Sequence, residues 1–114
     1  MKRHVILYVA AALVAVFAQG FQCASSELAT ARKAMQQQDY TKAKAAIEKA
    51  LAANPNDCDA LVLLGDVNEK LKDPAGTVDA YTKARACDKI KPEQQTAISV
   101  NLFNLWVAEY NSGI

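Results

Sequence analysis

The stretch DYTKAKAAIEKALAANP, residues 39–55, decides the fold of this chain. Its small and apolar residues recur at helical steps of three and four, and the Asn-Pro pair near its end stops the helix. A second copy of the spacing begins at Asp73, 34 residues after Asp39. Other positions correspond at the same offset: Ala46 with Ala80, Ile47 with Tyr81, Ala50 with Ala84, and Ala31 with Gly65. The sequence therefore predicts two copies of one helical hairpin.

A period of 34 residues is typical of the tetratricopeptide repeat, a helix–turn–helix unit that stacks on its neighbours. The chain resembles that family over about residues 24–90. The first copy keeps the second-helix signature, and the second copy keeps most of the first-helix signature. The matching residues are Tyr40, Ala43, Ile47, Ala50, Leu51 and Pro55, followed by Leu61, Leu64, Gly65, Tyr81 and Ala84. The pattern departs from the family at Asn68, Thr77 and Lys89, where tyrosine, alanine and proline are usual.

The resemblance implies an all-α protein, an α-solenoid of two helix–turn–helix repeats with a C-terminal capping helix, and we expect a signal segment to precede it. We place the repeat domain at residues 24–110, with repeats at about 24–57 and 58–91 and the capping helix at 92–110. Gly65 stands where a neighbouring helix would crowd a larger side chain, so we predict that it is a packing residue.

The last helix is apolar around nearly its whole circumference, whereas terminal helices of solenoids are normally polar outside. One stripe is expected to close the end of the stack: Ile98, Leu102, Leu105 and Trp106. A second stripe has nothing within the chain to cover it and is a candidate assembly surface: Val100, Phe103, Val107 and Tyr110.

Residues 1–23 have the pattern of a leader, with the positive segment MKRH followed by the fourteen-residue apolar run VILYVAAALVAVFA. The run is shorter than the ~20 residues that a membrane-spanning helix needs. Ala18-Gln19-Gly20 fits the small-x-small pattern that signal peptidase accepts. The run also resembles a bacterial lipoprotein leader, which implies lipidation at Cys23, but Gln22 stands where that family has a small residue. Cleavage or lipidation would give an exported domain that is periplasmic, secreted or held at the cell surface, and a retained anchor is the third alternative.

The chain is close to neutral, with 13 Lys and Arg residues against 12 Asp and Glu residues. Without the first twenty residues, 11 basic and 12 acidic side chains remain. This mixed surface argues against nucleic-acid binding, which needs a basic face to displace counterions. The only histidine, His4, lies in the leader. The sequence therefore excludes histidine base catalysis and histidine metal sites from the repeat domain, and we expect no cofactor and no metal.

In the tetratricopeptide family, the first helix of each repeat lines a concave groove that receives an extended or helical peptide. The resemblance implies this partner-binding set: Leu28, Arg32, Met35 and Gln36 from the first repeat, Val62, Asp66, Glu69 and Lys70 from the second, and Val100, Phe103 and Asn104 from the last helix. Its apolar members would seat ligand side chains, and its charged members would orient the ligand. The Asn/Lys/Arg clamp for a C-terminal carboxylate is absent at the matching positions, so we expect no recognition of that kind.

Cys58 opens the third predicted helix and Cys87 closes the fourth. Those two ends are neighbours in an antiparallel pair, so we predict a disulfide between them, which an exported location permits. Closing a loop of about 30 residues stabilises a protein by roughly 3–4 kcal/mol in the chain-entropy model. The alternatives are two buried thiols or a redox switch. Three cysteines without histidine make a poor zinc site.

The sequence favours a non-enzymatic interaction module. It has no Cys-x-x-Cys pair, Gly-rich phosphate loop, nucleophile with an adjacent base, or metal-ligand set. The expected partner is a protein or peptide, or a second copy of the chain, because two repeats and one helix fall below the ~3 repeats that usually stabilise such a stack. Membrane contact is expected only through the leader or a lipid on Cys23. The alternatives are a membrane-held structural subunit and a thiol-redox protein that uses Cys58 and Cys87.

Overall fold

The computed structural model describes residues 26–112, and their regular secondary structure is entirely helical. Helix α1 covers residues 26–36 of this described part. It is followed by α2 (Tyr40–Ala53), α3 (Cys58–Lys70), α4 (Pro74–Arg85) and α5 (Pro92–Ser112). Helix α3 packs against both α2 and α4, and α5 packs on α4. This architecture confirms the predicted all-α class.

The predicted leader lies outside the described residues. Its cleavage, its retention as an anchor and the lipidation of Cys23 therefore stay predictions. Within residues 26–112, no helix combines the length and the hydropathy needed to cross a bilayer.

The turn inside each hairpin is built in the same way twice. Gln38 and Lys72 both have a φ of 60°, the left-handed conformation that often follows the last residue of a helix. The next residue, Asp39 or Asp73, donates its N–H to the carbonyl five residues earlier over 2.9 Å in both turns. Each aspartate side chain then accepts from the N–H of the third residue of the following helix, at 3.2 Å in the first hairpin and 3.0 Å in the second. The sequence period is thus repeated in the backbone.

Small side chains fill the core between α1, α2 and α3. This first cluster consists mainly of alanines, which let helices approach closely, and it comprises Leu28, Ala31, Ala34, Ala43, Ala46, Ile47, Ala50, Ala60 and Val67. Ala31, Ala43, Ile47 and Ala50 have no exposed surface. The apolar face of α2 that the sequence predicts is therefore the buried face of the helix.

A tyrosine seated on a glycine organises the second hairpin. Tyr81 of α4 is fully buried, and a Cβ built on Gly65 of α3 would overlap three carbon atoms of its ring. Leu61, Ala84 and Ile98 complete this second core cluster. The predicted packing role of Gly65 is confirmed.

Helix α5 meets the stack through a narrow stripe. Ile98 is buried, and Leu102 and Leu105 are half-buried, as predicted. Trp106 is 61% exposed, so the prediction that it closes the stack is wrong. At 100° per residue Trp106 lies about 80° around the helix from Ile98, beyond the strip that the stack covers. Val107, predicted to be uncovered, is half-buried.

We expect Gly65→Ala to lower the free energy of unfolding by about 2–3 kcal/mol, because the added methyl group must displace the Tyr81 ring from a packed core. In a Tyr81→Leu background the same substitution should cost much less, because the ring is gone and alanine favours helix over glycine by about 1 kcal/mol. Urea unfolding followed by circular dichroism measures both differences. An equal cost in the two backgrounds would mean that the ring contact is not the reason for the glycine.

Candidate protein-interaction site

Most of the predicted groove residues lie where a ligand can reach them. Arg32, Gln36, Glu69, Lys70, Val100, Phe103 and Asn104 are exposed, and Met35, Val62 and Asp66 are half-buried. Met35 packs against the first core cluster and Val62 against the second. These two apolar side chains therefore rest on the core and keep part of their surface in water.

Leu28 is the exception, because it is only 7% exposed and belongs to the first core cluster. The prediction that it seats a ligand side chain is wrong. Leu28 lies three residues before Ala31, on the same face of α1, and that face is the one that packs on α2 and α3.

Asp66 is engaged inside the fold. The Tyr81 hydroxyl donates to Asp66 Oδ1 over 2.5 Å, and Asn101 Nδ2 of α5 donates to the same hydroxyl oxygen over 3.0 Å. A second link between α5 and α3 runs from Gln94 Nε2 to Asp59 Oδ1 over 2.9 Å. Asp66 therefore joins α3 to α4 and, through the phenol, to α5, and its predicted role of orienting a ligand stays a prediction.

Burial influences the protonation of both titratable groups in this network, the Asp66 carboxyl and the Tyr81 phenol. Burial raises the pKa of the Asp66 carboxyl above 3.8, and the hydrogen bond from Tyr81 opposes that rise. Glu69 raises the same pKa further and Lys70 lowers it. Burial and the Asp66 carboxylate raise the pKa of Tyr81 far above its ordinary value, so the phenol stays protonated and remains a donor. A charged ligand group near Glu69 and Lys70 would therefore change the titration of Asp66.

The charged residues of this face form no ion pair with any other residue that the structure describes. Among the described residues, the one ion pair joins Lys83 Nζ to Asp79 Oδ2 within α4, at 2.9 Å. Arg32, Glu69 and Lys70 therefore keep their charges available for a ligand. This arrangement can supply apolar contact together with charge-assisted hydrogen bonds of both signs.

A row of three aromatic rings occupies the exposed side of α5. The ring centroids of Phe103 and Trp106 are 6.1 Å apart, and those of Trp106 and Tyr110 are 5.7 Å apart. Each of the three side chains is more than 60% exposed, and Val100 is 52% exposed. Of the predicted assembly residues, Val100, Phe103 and Tyr110 are thus on the surface. The sequence analysis missed Trp106, which the alternating steps of three and four along α5 place in line with Phe103 and Tyr110.

The two cysteines of the repeats lie together. The thiols of Cys58 and Cys87 both approach the carbonyl oxygen of Asn56, at 3.8 and 3.9 Å. Both are free thiols, and both line an open cleft between the turns at residues 54–57 and 86–91. Burial, followed by the neighbouring Cys58 thiol, raises the pKa of Cys87 to about 11. The tertiary structure brings the predicted partners side by side, and the bridge between them stays a prediction.

In residues 26–112, no three His, Cys, Asp or Glu side chains are grouped so that they could hold a metal ion.

The raised pKa of Asp66 implies a pH dependence of stability with a definite sign. The contribution of this carboxyl is fully present below the unfolded pKa, near 3.8, and is lost as the pH rises through the higher folded pKa. The free energy of unfolding of the wild type, minus that of Asp66→Asn, should therefore fall as the pH rises above about 4 and then become constant. Urea unfolding at a series of pH values measures it. Asp79→Asn, at an exposed site, is the matched control. A flat difference for Asp66→Asn would show that its pKa is not raised.

A family model described as tetratricopeptide repeat matches residues 28–91. No curated protein matches the chain. The matched region runs from α1 to the residue before α5, so it includes both hairpins and both left-handed turns. Because this match covers more than half of the sequence, the chain belongs to the tetratricopeptide repeat family.

Proposed function

We propose that this protein is a non-enzymatic module that binds a protein or peptide along the face formed by α1, α3 and α5. Repeats of its family mediate protein–protein interaction. One observation carries the proposed site: Arg32, Glu69 and Lys70 are exposed and form no ion pair with another described residue, and Met35 and Val62 on the same two helices are half-buried.

The proposed ligand is an extended or helical segment with apolar side chains and charges of both signs. Met35 and Val62 would seat its apolar side chains, since both already rest on a core cluster and need little ordering. Glu69 and Lys70 are adjacent on α3 and are both exposed, so they suit a ligand that carries a neighbouring pair of opposite charges.

We also propose that the protein is exported. The support is the leader pattern of residues 1–23, and the fate of Cys23 separates simple cleavage from lipidation. N-terminal sequencing and the intact mass of the protein from its native source distinguish these two alternatives from the membrane-held subunit, which would keep the leader without a lipid.

The disulfide between Cys58 and Cys87 is part of this proposal. Its support is the approach of both thiols to one carbonyl oxygen. Cys87 by itself is a poor redox nucleophile, because its pKa of about 11 leaves almost no reactive thiolate at neutral pH.

A photoreactive amino acid at position 62 tests the proposed groove. Incorporated in place of Val62 in the native host, it should give a defined covalent adduct with another protein. In place of Val78, an exposed apolar residue of α4, it should give none. Reversing both charges with Glu69→Lys and Lys70→Glu should reduce the adduct at position 62 at least tenfold, since each lost charged contact costs over 1 kcal/mol. Equal adducts at positions 62 and 78, or adducts that the charge reversal leaves unchanged, would rule out this face.

Oxidation of the Cys58 and Cys87 thiols tests the bridge. An excess of a low-molecular-weight disulfide should accept two electrons and two protons from the thiols and leave as two thiols. The mass of the protein should fall by two hydrogens and its free energy of unfolding should rise by roughly 3–4 kcal/mol. The measurement uses a Cys23→Ser background, with Cys58→Ser as the control that cannot close the ring. An oxidised protein no more stable than the reduced one would show that the bridge is not a native feature.

A further inference from the structure

We propose that the exposed aromatic side of α5 pairs with the same side of a second copy, antiparallel, and makes the protein a two-fold dimer. We call this side the α5 seam, and it consists of Pro92, Thr96, Ser99, Phe103, Trp106 and Tyr110. All six residues are exposed. They are spaced alternately four and three residues apart, which is the spacing of the contact positions in a coiled coil. A seam of this spacing stays on one side of the helix over its whole length.

The repeat period explains why α5 is open at Ser99. Ser99 follows Gly65 by one period of 34 residues, so it occupies on α5 the position that receives Tyr81 on α3. On α5, none of the described residues covers Ser99. Thr96 and Phe103 follow Val62 and Glu69 of the open face of α3 by the same period. The seam therefore combines a helix-packing position that lacks its helix with positions that are open in the preceding repeat as well.

The seam is complementary to itself in one antiparallel register. When Phe103 of one copy faces Trp106 of the other, Ser99 faces Tyr110, and both contacts occur twice around the two-fold axis. A small residue then lies opposite a large ring, just as Gly65 lies opposite Tyr81 within the chain. The shallow groove that Ser99 helps to line, together with Thr96 and Phe103, gives the Tyr110 ring of the other copy a place to enter.

The charges of α5 are compatible with this register. The helix carries only two charged side chains, Glu93 and Glu109. In the register above, Glu109 is level with the uncharged Val100 of the other copy along the helix axis, and Glu93 lies past the end of the other α5 at Ser112. No like charges meet across the seam, so the pairing carries no electrostatic penalty of that kind.

The apolar area is sufficient for a modest dimer. An aromatic side chain buries ~150–250 Å² when fully covered, and these rings are still more than 60% exposed. Six rings from two copies therefore bring roughly 550–900 Å² into the interface. With the smaller residues between the rings included, the total buried area approaches the lower limit for stable interfaces, ~1,200 Å². We expect a dimer that forms in the micromolar range.

This inference does not depend on the proposed groove, although it reassigns one of its residues. Phe103 is covered in the dimer, so only Val100 and Asn104 of α5 are left to contact a ligand. The groove residues of α1 and α3 are not part of the seam. Loss of ligand binding would therefore leave the dimer intact, and loss of the dimer would leave the α1 and α3 part of the groove intact.

Light scattering on the purified protein should give the mass of two chains at high micromolar concentration and of one chain on dilution. Trp106 is the only tryptophan of the chain and lies in the seam. Its fluorescence emission should therefore shift to longer wavelength on dilution, over the same concentration range in which the mass falls. Val78→Glu, at an exposed apolar site of α4, is the matched control and should leave both transitions unchanged.

Two charged substitutions test the antiparallel register. Phe103→Lys alone and Trp106→Glu alone should each give monomers with unchanged helix content. An equimolar mixture of the two variants should restore the dimer, because the new ammonium and carboxylate groups face each other only in the antiparallel pair. In a parallel pair the new charges would face Phe103 and Trp106 of the other copy, and the mixture would form no ion pair.

Three results would overturn the proposal. If the wild type is a monomer at every concentration and Trp106 emission is typical of a tryptophan in water, the seam does not pair with a second copy. The seam would then be open to a helix of another protein. A monomer with constant, shielded emission would mean that another segment of the same chain covers it. Two monomeric variants whose mixture stays monomeric would exclude the antiparallel register.

Discussion

The fold depends on the insertion of one phenol ring between three helices. Tyr81 can approach α3 because Gly65 has no side chain, and the ring then becomes fully buried. At that depth its hydroxyl must find partners, and it finds Asp66 on α3 and Asn101 on α5. One side chain therefore sets the spacing of the second hairpin and the position of the last helix. Burial raises the pKa of the Asp66 carboxyl at this junction, and the hydrogen bond from Tyr81 opposes that rise.

The two hairpins solve the same packing problem with different residues. Alanines hold the first hairpin together, and their small volume lets α1, α2 and α3 approach without a large central side chain. In the second hairpin the largest buried side chain is Tyr81. Asn68 is also buried there, and its Oδ1 has no hydrogen-bond partner among the described residues. A buried amide oxygen without a donor costs about 1–3 kcal/mol, so the second hairpin depends more heavily on the contact between Gly65 and Tyr81.

The stack ends on a helix that has two apolar sides. Ile98 and its neighbours bind α5 to the second hairpin, while Phe103, Trp106 and Tyr110 remain in water. A long helix with an uncovered aromatic row is unusual for a terminal solenoid helix, which is normally polar outside. Short repeat arrays bury too little surface to be self-sufficient, so the proposed dimer interface at the end of the stack would supply contacts that further repeats supply in longer members.

The sequence by itself determined the helices, the 34-residue period and the role of Gly65. These features follow from local spacing and backbone geometry, which a chain carries without its neighbours. Only the tertiary structure decided that Leu28 lies in the core, that Asp66 accepts a hydrogen bond from the Tyr81 hydroxyl and that Trp106 is exposed. A helical residue near the edge of an apolar stripe is buried or open according to how the next helix docks. The bond from Asn101 to Tyr81 likewise joins residues twenty positions apart on two helices. Periodicity assigns each residue to a side of its helix, and only packing decides how wide the covered side becomes.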